Sequence, residues 1–172
     1  FLDIRGKFIE VNRKKDFMEI GIEFVQTSLS KSKKNVFRGM HAQQDQWQLM
    51  TLIHGKIESF QLDLNKNSVT FGQCQKFLLS ADDDRQLLIS PGNFNGFYTL
   101  KDDVIISYQS SILYGQTPEL GISYQSLISQ GLLKHRKNSM IVSKRDNSFP
   151  QLTNVDFIQI SDNLISSKRQ RM

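Results

Sequence analysis

The sequence predicts an all-β protein built as an antiparallel sandwich or barrel. Three observations carry that prediction. Short runs of alternating apolar and polar residues recur along most of the chain. Turn-forming clusters separate them at close spacing, with no long helical pattern between. The 172 residues are 38% hydrophobic and 23% charged, globular proportions that can fill one core. Many short strands at regular intervals suit a double-layered or closed antiparallel sheet.

Taken in order, Lys7–Val11 reads as an early strand. Met18, Ile20, Ile22 and Phe24 alternate with Glu19, Gly21, Glu23 and Val25, which predicts a strand with one apolar face. Further strands are predicted over Val36–His41, Trp47–Ile53, Ile57–Leu64, Val69–Leu79, Gln86–Ile89, Gly96–Leu100 and Val104–Ser111. His54-Gly55, Asn65-Lys66-Asn67, Asp82-Asp83-Asp84, Pro91-Gly92 and Lys101-Asp102-Asp103 punctuate them. Helix signals are weak, one over Ser123–Leu133 and one after Thr153. No linker or repeat divides the chain, which reads as one unit over 1–172 with a basic tail in 153–172. It begins at Phe1 inside a patterned segment, without an initiator Met, as a chain trimmed at its start would.

Composition excludes several functions. No apolar run reaches the roughly 20 residues of a membrane span, so no membrane partner is expected. Cys74 is alone, which rules out an internal disulfide framework, and with no leader visible it points to the cytoplasm. His41, His54 and His135 form no closely spaced pair, so no metal site is expected. His54 reads as a turn residue and His135 as an exposed loop residue. No P-loop, dinucleotide fingerprint or G-x-S-x-G elbow is present. A net charge of +5 favours an anionic partner. The aromatic–basic interleaving of nucleic-acid surfaces is missing, so no nucleic-acid partner is expected.

The segment richest in chemistry runs from Phe24 to Gln43. A basic loop, Lys31–Lys34, leads into a strand carrying Arg38 and His41. Two readings stand: a solvated loop with a lone strand histidine, or an anion site beside a titratable base. Arginine suits phosphate because its planar fork donates two parallel hydrogen bonds. Histidine suits proton abstraction because it titrates near neutrality. Positions 38 and 41 have opposite parity, which an ideal strand sends to opposite faces. A bulge at Gly39 would restore a common face.

The same segment resembles the dTDP-4-dehydrorhamnose 3,5-epimerase family. The likeness rests on Phe24-Val25-Gln26, Ser30-Lys31-Ser32 and Asn35-Val36-Phe37-Arg38-Gly39-Met40-His41-Ala42-Gln43. Other blocks agree in order. They are Phe1 to Gly6 with Glu10, Gly55 with Asp63-Leu64 and Thr70-Phe71-Gly72, Leu79-Ser80-Ala81 with Arg85-Gln86-Leu87, Pro91-Gly92 with Gly96-Phe97, and Ile141 to Asp146. The resemblance covers Phe1 to about Leu152 and implies a cupin-like jelly roll whose first strand precedes Phe1. It implies a cofactor-independent epimerase of a 4-keto-6-deoxy nucleoside-diphosphate sugar, working as a homodimer in deoxysugar or surface-polysaccharide synthesis. His41 matches the base, Asp146 its orienting partner and Tyr108 the acid. Arg38 matches the diphosphate contact, while Arg5, Glu10, Gln26 and Ser28 match nucleotide contacts, Arg5 and Glu10 serving the partner subunit.

The departures are as informative. A family histidine is Leu29 here, and an Asp-Asn pair is Thr27-Ser28. Gln48 stands for the lysine that supports charge on the 4-keto oxygen, and Asn95 for a pocket histidine. Gln109 and Leu113 replace a lysine and an aromatic after the tyrosine. Losing a cationic donor to an enolate implies a different sugar, inversion at one centre only, or weaker catalysis. A catalytically weak nucleotide-sugar binder and a ketoisomerase on the same fold remain as alternatives. Taken singly, each residue also has a structural role: Tyr108 as a strand aromatic, Asp146 as a turn cap, Arg5 with Glu10 as an ion pair.

Overall fold

The structure, a computed structural model, describes residues 2–134, 139–152 and 158–160. The strands among them are β1 (Leu2–Asp3), β2 (Gly6–Lys7), β3 (Gln26–Ser32), β4 (Phe37–Gln43), β5 (Gln48–His54), β6 (Lys56–Asp63), β7 (Gln73–Ser80), β8 (Gln86–Ile89), β9 (Asn93–Thr99), β10 (Val104–Ser110), β11 (Glu119–Gly121) and β12 (Ile158–Ile160). Three short α-helices accompany them among the described residues, α1 (Lys14–Met18), α2 (Gln125–Ser129) and α3 (Lys144–Ser148), with a single 3-10 turn at Ala81–Asp83. None among the described residues is long and apolar enough to cross a membrane.

Two sheets form the body. One has the order β3-β10-β5-β8, the other β11-β4-β9-β6-β7-β12. Every pairing is antiparallel except that of β12 with β7. The all-β, cupin-like jelly-roll expectation therefore holds. Met50, Leu52, Ile89 and Ile106 from the smaller sheet meet Ile57, Phe77, Leu79 and Phe97 from the larger one, closing the space between them. The opposite face of the larger sheet is also covered. Phe37, Phe60, Leu62 and Tyr98 pack there against Tyr124, Leu127, Leu132 and Leu133. Phe37 and Phe60 are 1% and 0% exposed, and truncating such a ring typically costs about 3–5 kcal/mol. Burial on both faces is why β9 loses its period-two pattern.

Three local expectations fail for physical reasons. Residues 18–24 form no strand: α1 ends there, and the Gly21 N–H turns back to the Met18 carbonyl. Met18 and Ile20 stay exposed, and of the alternating set only Ile22 is buried. Of Lys7–Val11 only Lys7 lies in a strand, while the Phe8, Ile9 and Val11 side chains are exposed. Conversely, β3 has almost no apolar alternation. Its ladder to β10 makes it a strand, so Lys31 of the expected basic loop lies in β3. The helix signal over Ser123–Leu133 shrinks to α2. After Thr153, residues 158–160 are strand; the rest of that predicted helix, like His135, lies outside the described residues.

Candidate functional site

The site begins with an irregularity in β4. Arg38 pairs with Phe97 of β9, but His41 pairs with Asn95, so two residues of β4 face Gly96 alone. That bulge cancels the parity objection, and Arg38 and His41 both line one cavity of about 560 Å3. Gly39 allows it. Its φ is +120°, and a Cβ there would lie 2.6 Å from the Gly96 Cα.

Asp146 reaches the same cavity from the far end of the chain. The segment before it docks on the start of β4: Ile141 N–H donates to the Asn35 carbonyl and Phe37 N–H to the Ile141 carbonyl. Ser143 caps α3 by accepting the Asp146 N–H at 3.0 Å. The Asp146 carboxylate, 5% exposed, then lies with Oδ1 2.9 Å from His41 Nε2. Its Oδ2 accepts the Gly39 N–H at 3.3 Å. Burial alone would raise its pKa. The bond and charge of His41, the Gly39 N–H and Ser143 outweigh that and hold it below the usual carboxylate value of 3.8. The Phe149 ring meets the His41 ring edge-on with centroids 5.5 Å apart. Gly121 leaves room for it, since a Cβ there would fall 2.3 Å from the Phe149 ring.

Tyr108 lines the cavity from β10, on the sheet facing β4. Burial pushes its phenol pKa up, with Ser30 and the Arg38 charge acting weakly against it. The group is therefore a neutral O–H throughout the physiological range. Arg38 is braced by β3: Nε donates to Ser32 Oγ at 2.9 Å and Nη2 to the Lys31 carbonyl at 3.4 Å.

Gln48 and Asn95 also line the cavity. Gln26 and Ser28 lie outside its lining and are bonded to each other at 2.9 Å. Arg5 and Glu10 are not brought there either. Arg5 pairs with Asp3 and Glu10 with Arg13, all near the exposed N-terminus. Leu29 is 71% exposed on the outer side of β3, so that departure leaves the cavity wall untouched.

Sequence reasoning missed Glu119 and Arg145. Both line the cavity and pair with each other, and Glu119 Oε1 lies 3.4 Å from His41 Nδ1. No spacing signal pointed to Glu119. Arg145 was hidden beside Asp146 in a motif read only for its acid. Among the described residues no group of three or more His, Cys, Asp or Glu side chains is placed to hold a metal ion.

Residues 1–154 match the model of the dTDP-4-dehydrorhamnose 3,5-epimerase family. The chain belongs to that family. A dTDP-4-dehydrorhamnose 3,5-epimerase of Methanothermobacter thermautotrophicus is 32% identical over 157 residues, spanning 88% of this chain and 85% of its own. The Legionella pneumophila epimerase, solved in complex with dTDP-4-keto-L-rhamnose, superposes with a TM-score of 0.77 at 30% identity, covering 87% of this chain and 81% of that one. The Bacillus anthracis epimerase, solved with TDP and PPi bound, gives 0.78 at 33% identity, covering 87% and 88%. As a member of the dTDP-4-dehydrorhamnose 3,5-epimerase family, the chain is an isomerase.

Proposed function

We propose that this chain epimerises a dTDP-linked 4-keto-6-deoxy sugar at C3, C5 or both, by proton transfer between His41 and Tyr108. The observation that carries this reading is the Asp146–His41 hydrogen bond, with Tyr108 on the facing sheet of the same cavity. The dTDP-4-keto-L-rhamnose of the Legionella structure and the TDP of the Bacillus structure support the choice of substrate.

The keto group acidifies its neighbouring C–H, so an imidazole suffices as base, without a nicotinamide or a metal. Asp146 holds the Nε2–H, which leaves Nδ1 to accept the proton. Negative charge then develops on the keto oxygen, where the amides of Gln48 and Asn95 offer neutral donors. Tyr108 returns a proton from the opposite face and thereby inverts the centre. Arg38 takes the diphosphate with the guanidinium edge that β3 leaves free. Arg5 and Glu10, outside this cavity's lining, act in the site of a second copy. Exposed Phe8, Ile9 and Leu29 supply apolar surface for such a homodimer. We place its action in the cytoplasm, where the lone buried Cys74 stays reduced.

The test is deuterium wash-in. The protein is incubated with dTDP-4-keto-L-rhamnose in heavy water and C3 and C5 are followed by NMR. Exchange at both centres identifies a double epimerase, and exchange at one a single epimerase. Migration of the carbonyl to C3 would mean a ketoisomerase, and binding without exchange would sink the enzymatic assignment.

A further inference from the structure

The amide at position 95 lies directly beside the base, because Asn95 of β9 is the cross-strand partner of His41. Side chains so paired have Cβ atoms about 4.5–5.5 Å apart. A carboxamide has a donor end and an acceptor end, and only the donor end helps a developing oxyanion. Which end faces the cavity is decided from outside it. Gln61 of β6 is the register partner of Asn95 on the other side, and its Nε2 donates to Asn95 Oδ1 at 2.6 Å. The same Nε2 lies 3.4 Å from the hydroxyl of buried Ser59, which accepts its second hydrogen. Asn95 lines the main cavity, whereas Gln61 lines a separate smaller one of about 220 Å3. With its oxygen drawn to Gln61, Asn95 directs its N–H groups away from Gln61, and these make no hydrogen bond to a described residue.

We propose that Gln61 is a positioning residue, which fixes the Asn95 amide so that its N–H points at the keto oxygen next to the carbon His41 deprotonates. The inference rests on the epimerase reading above. It explains how a neutral asparagine serves where the family resemblance has an imidazole. Gln61 orients Asn95, and Asn95 presents a donor that needs no reorganisation during reaction. The pocket thus selects a substrate with an acceptor oxygen at that point, as a 4-keto sugar has.

The test is Gln61→Glu. A carboxylate only accepts, so Asn95 must turn its N–H groups toward the new acid and offer its oxygen to the cavity. Wash-in from heavy water into dTDP-4-keto-L-rhamnose is measured at C3 and C5, with dTDP affinity followed by calorimetry. The expected result is a fall in kcat of about tenfold or more, with KM and dTDP affinity within about threefold. Adding Asn95→His to Gln61→Glu should restore kcat, since the introduced carboxylate would hold a protonated imidazole with its other N–H facing the cavity. Gln61→Met, apolar and of similar length, is the second variant and should also lower kcat with little change in KM. A Gln61→Glu enzyme as fast as wild type overturns the assignment. So do a parallel loss of rate and dTDP affinity, or a double variant that recovers nothing, because each marks Gln61 as packing only. A wild-type chain that binds dTDP and exchanges neither centre overturns the epimerase reading itself.

Discussion

His41 Nε2 and Asp146 Oδ1 stand 2.9 Å apart although 105 positions separate them in the chain. The contact exists because the segment at Ile141 docks on the start of β4 and the Ser143 cap turns α3 inward. Asp146 is thus tied twice to β4, through the His41 ring and the Gly39 N–H. Asp146→Asn keeps the shape and removes the charge that favours the imidazolium. Deuterium wash-in should fall by roughly a hundredfold or more, with dTDP affinity nearly unchanged. A variant as fast as wild type would show that His41 needs no partner.

The same carboxylate gives a pH signature. Its folded pKa lies below the ordinary carboxylate value of 3.8. A depressed carboxylate adds stability that is fully present above its unfolded pKa and is lost as pH falls through the folded one. The stability gap between wild type and Asp146→Asn should be widest above about pH 5 and close as the pH drops below 3.8. Urea unfolding at several pH values measures this, and a gap that widens in acid would contradict it.

Replacing Tyr108 tests the two halves of the proposed inversion separately. Its phenol is raised above 10.0 by burial, so it stays a proton donor and adds no alkaline limb to the rate below that value. Tyr108→Phe should leave wash-in of deuterium on the His41 face measurable while net epimerisation falls by about a hundredfold or more. Loss of both processes together would assign Tyr108 to packing.

What could be read in advance followed from which signals are local. Strands β5, β6, β8 and β10 were legible because each is a short run rich in apolar residues set between turn signals. Strand β3 was not, because its residues are polar and its order comes from β10, more than 70 positions away. The bulge at Gly39 could be suspected from parity at Arg38 and His41, but only the register with Gly96 fixes it. Glu119 carried no mark in the sequence, since a three-residue edge strand has no pattern to read. The Gln61–Asn95 bond was equally hidden, because nothing local says which β6 residue sits beside which β9 residue.

Gly39 itself is a sensitive point. Alanine there would place a methyl 2.6 Å from the Gly96 Cα and 2.7 Å from the Asn95 carbonyl oxygen, at φ +120°. Backbone cannot yield as a flexible side chain can, so β4 and β9 must separate. Gly39→Ala should cost about 2 kcal/mol or more in urea unfolding and reduce wash-in beyond the stability loss, because Arg38 and His41 would lose their common face. A variant of wild-type stability and activity would mean the bulge tolerates a side chain.

Cys74 reports on the integrity of the outer core. It is fully buried among Phe60, Leu62 and Phe94, and burial pushes its thiol from 9.0 up to about 12. The reactive species is the thiolate, and such a shift lowers its population at pH 8 by roughly a thousandfold before access is considered. Folded protein should react with a disulfide-exchange dye far more slowly than protein in denaturing urea, where one thiol per chain is titrated. Because Cys74 lies in β7, the labelling rate in native buffer measures how often the larger sheet opens. Cys74→Ala removes the signal and leaves deuterium wash-in intact, since the residue is outside the cavity lining. Rapid labelling of the folded chain would show that this face of the sheet is open to solvent.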